Sequence, residues 1–141
     1  IFRMQPSQND VNLFVRFATD GSTFQTGAIY GAETYTLADD DGAVGFNTGS
    51  AWQLTGTTIG NATARGISGH FYLVGANNTS FPSVILGSSS HINTSGSHRS
   101  QVFTGSQIVS ASDGVVNGLS FLFSSGNVAN SEITIYGLDK N

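Results

Sequence analysis

Val11-Asn12-Leu13-Phe14-Val15-Arg16-Phe17-Ala18 decides the fold class. Side chains of a strand alternate between its two faces, so Val11, Leu13, Val15 and Phe17 share one face and Asn12, Phe14 and Arg16 the other. The same period of two recurs downstream. Ile67, Phe71 and Leu73 form a second row, opposed by Ser68, His70 and Tyr72. Val115, Leu119, Phe121 and Phe123 form a third, and Ile133 and Ile135 begin a fourth. Each row needs an apolar surface opposite it, so the rows predict a two-sheet antiparallel sandwich.

Turn residues punctuate the rows: Asp20-Gly21, Asp41-Gly42, Gly49-Ser50, Asn77-Asn78, Ser95-Gly96 and Ser125-Gly126. The 18 glycines are spread almost evenly, and Lys and Glu, both good helix formers, are nearly absent. Asn117-Gly118 is a strong hairpin signal. The odd-numbered row keeps its phase through Asn117, however, which predicts one continuous strand over 115–123. That strand and a second over 132–138 are expected to pair across the Ser125-Gly126-Asn127 turn, with Ile133 and Ile135 inward. Tyr136 and Leu138 would then face outward, covered by another subunit or a returning loop. The stretch Ser88–Ser100, low in apolar content, reads as a long loop. Neither a repeat nor a linker divides the 141 residues, a one-domain length that needs no covalent staple.

Charged residues make up 10% of the chain, against about a quarter in ordinary soluble domains, and Gly, Ser, Thr and Asn take their place. Arg3, Arg16, Arg65, Arg99 and Lys140 are scattered within a net charge of -4, which argues against a nucleic-acid partner. No apolar run approaches the ~20 residues of a membrane span. With no cysteine there are no disulfides or thiolate metal sites. A first residue Ile1 is expected of a processed chain or of part of a longer one.

Catalytic patterns are sparse. His70, His91 and His98 lie in no recognisable nucleophile setting. Glu33, Asp113 and Glu132 are the acids to consider for a glycosidase pair, which would have to converge within about 5 to 9.5 Å. Asp39, Asp40 and Asp41 are a weak Ca²⁺ candidate without the spacing of an EF-hand loop, and an exposed acidic turn accounts for them more simply. No cofactor fingerprint is present. The aromatics Trp52, Tyr30, Tyr35, Tyr72 and Phe81 fall in turns or on outward faces, where flat rings stack on sugars or anchor an interface; the alternative is that they complete the core.

Two segments carry a resemblance. SSGNVANSEITIYGL, residues 124–138, preceded by Val116-Asn117-Gly118-Leu119-Ser120-Phe121, resembles the ending of many tail-fibre and minor virion proteins of tailed bacteriophages. DGSTFQTGAIY, residues 20–30, is similar to a segment near the start of that family. This chain has one Gly fewer after Asp20, and Asn130-Ser131-Glu132 where Ser-Gly-Thr is usual. The resemblance implies a jelly-roll-like β-sandwich on a virion, in a tail fibre, spike or decoration, assembled in the host cytoplasm and carrying no catalytic residues. It implies partners that are copies of the chain, three for a fibre or spike, together with other virion proteins. A weakly charged Gly, Ser, Thr and Asn surface with isolated aromatics suits contact with a bacterial surface glycan and equally suits packing in a lattice or fibre. A carbohydrate-binding module of a secreted or virion-associated enzyme is the alternative.

Overall fold

The structure, a computed structural model, describes residues 1–27, 29–37, 43–78, 80–107 and 115–137. They form an all-β antiparallel sandwich. Its ten strands are β1 (Phe2–Pro6), β2 (Leu13–Ala18), β3 (Tyr30–Thr36), β4 (Ala43–Gly49), β5 (Trp52–Gln53), β6 (Ile67–Val74), β7 (Val84–Ile92), β8 (His98–Gln107), β9 (Gly118–Phe123) and β10 (Val128–Ile133). One sheet has seven strands in the order β10-β1-β6-β7-β8-β3-β4, and the other has three in the order β5-β2-β9.

The decisive stretch behaves as its alternation requires. Val11, Leu13, Val15 and Phe17 are fully buried, and β2 pairs Leu13, Val15 and Phe17 with Phe123, Phe121 and Leu119 of β9. From the large sheet, Phe2, Met4, Ile67, Ile85 and Phe103 meet this row. Phe2 and Phe71 each approach Phe121 of the small sheet, with ring centroids 5.8 and 6.0 Å away, so aromatic contacts bridge the layers. Gly69 gives the Phe2 ring its place, since a Cβ there would lie 2.7 Å from Phe2 Cζ.

Several expectations fail. β9 and β10 do not form a hairpin: β9 pairs with β2 and β10 with β1, so the turn between them crosses from one sheet to the other. Gly126 takes a φ of 69° in that turn, which is tied to the neighbouring segment where Ser7 N–H donates to Asn127 O and Asn127 N–H to Ser7 Oγ, both at 2.8 Å. The last strand also spans 128–133 rather than 132–138, and it lies beyond the reach of the three-stranded sheet. Every β10 residue is therefore exposed, Ile133 included, and so is Ile135.

Nor is Ser88–Ser100 a long loop. It belongs to the β7–β8 hairpin, in which Ser88 pairs with Val102 and His91 with Arg99 around a turn at Ser95-Gly96. Finally, the strand at Asn117 begins only at Gly118, and Val116 is buried where Val115 is exposed, so the phase changes there. Val116 N–H donates to Ala76 O and Asn117 N–H to Ala18 O, which draws Val116 rather than Val115 inward.

Candidate functional site

The outer face of the seven-stranded sheet gathers the exposed aromatics. Strands β6, β7 and β8 pair without a register shift, so residues opposite one another share a face. Tyr72 lies opposite Leu86, and Leu86 opposite Thr104. One row along, His70 lies opposite Ser88, Ser88 opposite Val102, and Val102 opposite Tyr35 of β3. Leu86 and Val102 are thus diagonal neighbours, and Tyr72, Leu86, Val102 and Tyr35 make an oblique apolar stripe across four strands. Their exposures are 53, 45, 44 and 49% in that order.

The two tyrosines are three strand spacings and one row apart, roughly 15 Å. The His70 and Tyr72 rings meet nearly at right angles, with centroids 6.2 Å apart. Val74 is exposed beside Tyr72. Thr104 donates its hydroxyl to Ile85 O at 3.2 Å and keeps its lone pairs for another donor. Glu33 stands at the β3 end of the Tyr72 row, opposite Thr104.

Of the aromatic candidates, Tyr35 and Tyr72 thus come together on one face. Phe81 is exposed in the β6–β7 connection rather than on the stripe. Trp52 and Tyr30 are core residues. Trp52 Nε1–H donates to Ser106 O at 3.2 Å, and the indole packs against Tyr30 and Phe17 at 5.2 and 5.6 Å. Tyr30 receives the Phe17 N–H at 3.1 Å, donates its own hydroxyl to Gln25 O at 3.0 Å, and has its pKa raised by burial. Both polar handles are satisfied inside, which removes the reason to reach solvent. Sequence does not single out Leu86 and Val102, because the alternation around them is broken by Gly87 and a run of serines; only the strand pairing aligns them with the tyrosines.

The remaining candidates divide. Glu33 on β3 and Glu132 on β10 are five strand spacings apart, roughly 24 Å, too far to act as a glycosidase pair. Asp113, Leu138 and Asp39, Asp40 and Asp41 lie outside the described residues, whereas Tyr136 is exposed past β10. An open basin of about 510 Å³ near β1 and β10 is lined by Arg3, Arg65 and Glu132 among others. Arg65 there donates to Asn93 O and Thr94 O, at 3.3 and 2.7 Å, and so closes the β7–β8 turn.

His91 belongs to the interior. Gln101 donates its amide to Ser89 Oγ at 3.0 Å and to His91 Nδ1 at 3.4 Å, while Gly56 N–H donates to Gln101 Oε1 at 2.8 Å. With Nδ1 accepting, the Nε2 proton points to Thr57 Oγ1 at 3.1 Å. Burial, with smaller contributions from the charges of Arg99 and His98, lowers the His91 pKa from 6.5 to about 4. His98 instead lies at the surface with its Nε2 against Ser90 Oγ. Among the described residues no three His, Asp or Glu side chains group as metal ligands.

No protein-family model matches the chain, and no curated protein or solved structure matches it significantly. What the outer face and the terminal strand can do follows from their own side chains.

Proposed function

We propose that the chain is a non-enzymatic bacteriophage virion domain, part of a tail fibre, spike or decoration, that serves host-surface attachment or particle assembly. One observation carries the reading. Within the C-terminal segment that carries much of the resemblance, residues 128–133 form β10, the outermost strand of the large sheet among the described residues, exposed on both faces, and apolar side chains continue past it. Ile135 and Tyr136 are 79% and 69% exposed, and Ile1 is exposed beside them, bonded to Thr134 through its backbone. Among the described residues β10 is paired on one side only, and a strand so placed offers free N–H and C=O groups to a neighbouring chain; of its own residues just Glu132 is charged. A part that repeats in a closed assembly has use for such an edge, and three copies are the number we expect. An intact virion map that places the chain between repeating neighbours, with β10 at the contact, supports this reading. A particle without the chain, or a β10 edge left in solvent in that map, overturns it.

The second reading, a carbohydrate-binding module of a secreted or virion-associated enzyme, is favoured by the Tyr72 to Tyr35 stripe. A catalytic domain in the same intact gene would support it.

A further inference from the structure

We propose that the outer face of the large sheet binds a neutral, extended, β-linked polysaccharide lying along Tyr72, Leu86, Val102 and Tyr35. This deepens the attachment reading by naming the site and the ligand class, and rests on that reading only for where the ligand is met.

The chemistry of the face selects the ligand. The outward positions of β6, β7 and β8 carry hydroxyl, aliphatic and aromatic side chains with the imidazoles of His70 and His98, and no carboxylate, ammonium or guanidinium. On β3 the exposed Glu33 stands opposite Thr104 and would repel an anionic chain, whereas a neutral sugar presents C–H faces to the rings and hydroxyls to Ser88 and Thr104. Two tyrosines roughly 15 Å apart hold rings several sugars apart on one chain, with Leu86 and Val102 between them as an apolar floor. Three strands paired without a bulge make an unbroken platform rather than a pocket, which suits a flat polymer better than a free monosaccharide.

The stripe and Val74 together expose on the order of 500 Å², the size of a functional patch on a monomer. The positions around them carry hydroxyls and imidazoles, which suit a sugar's hydroxyl groups. Self-association through this face is the competing outcome, and the binding experiment separates the two.

The test uses the whole chain, hydroxyethyl cellulose in native affinity gels, and cellohexaose titrated into isotope-labelled protein. The wild type should be retarded, with chemical-shift changes confined to β3, β6, β7 and β8. Tyr72→Ala and Tyr35→Ala should each weaken binding about tenfold at unchanged melting temperature. Tyr72→Phe, which keeps the ring, should retain it, and Tyr136→Ala should behave as wild type. Absence of retardation and of shifts, shifts centred elsewhere, or full binding by both alanine variants overturns the proposal. Self-association that disappears in Tyr72→Ala also overturns it, by assigning the face to a second copy. These outcomes are independent of the virion map, which concerns where the protein sits.

Discussion

His91 accepts a hydrogen bond at Nδ1 and donates one at Nε2, so an added ring proton would point at the Gln101 amide. The unfolded imidazole titrates near 6.5 and the folded one near about 4. Above pH 6.5 neither state is protonated and no penalty exists. Between these values the unfolded chain takes up a proton that the folded chain refuses, so stability falls with pH by up to about 3 kcal/mol and levels off below 4. Thermal melts between pH 7 and 4 should show this decline, and His91→Gln should flatten it. Asp20 acts in a lower window. Backbone N–H bonds from Thr23 and Ser22 lower its pKa to about 2, so its contribution is present above the usual 3.8 and lost as pH falls toward 2. Gly105 is a second sensitive position, because a Cβ there would lie 2.7 Å from Trp52 Cδ1 and 2.9 Å from Gly31 O. Gly105→Ala should cost about 1 to 3 kcal/mol by denaturant unfolding, as overpacking does. Sequence leaves Trp52 open between core and surface, since the space for it in the core is made by a glycine distant in sequence.

Strands were legible where one face is apolar and the other polar, as in β2 and β6. They were misread where the inner face is itself polar. In β7 and β8 the inward positions include Ser89, His91 and Gln101, which resemble loop composition and satisfy one another only once the hairpin has formed. The C-terminal rows failed for another reason. Alternation shows that a strand has two distinct faces, but not whether a second sheet extends far enough to cover one. Ile135 lies beyond that cover, so Ile135→Ala should change the unfolding free energy by no more than about 0.5 kcal/mol. Phe2→Ala, on the strand that pairs with β10 but inside the core, should cost about 3 to 5 kcal/mol. Paired melts of the two variants check the contrast. The stripe was half legible: Tyr35 and Tyr72 stand on outward phases of their strands, but their joining through Leu86 and Val102 needed the register.

Seven strands over three leave a sandwich whose large sheet overhangs the small one. Sheet order sets where assembly is expected, because β10 lies at the overhanging edge. Sedimentation of the wild type should show a concentration-dependent oligomer, and Ile135→Ala combined with Tyr136→Ala should shift it toward monomer without changing the melt of the isolated fold. Equal oligomer content in both proteins would remove β10 from the contact. Net charge of -4 spread over a surface poor in ions leaves little electrostatic repulsion to oppose such packing.

Ile1 and Thr134 exchange two hydrogen bonds, from the Ile1 amine to Thr134 O at 2.9 Å and from Thr134 N–H to Ile1 O at 3.0 Å. Entry and exit of the folded unit therefore share one corner, as the two arms of a ring share its clasp. Spliced into a longer polypeptide, the sandwich would hang from a single point and leave the host chain's path almost unaltered. The covalent order of its strands is correspondingly free to change. A circular permutant that links the two ends and opens at Ser95-Gly96 should fold to the same sheet order, which amide-exchange protection of β6, β7 and β8 would reveal.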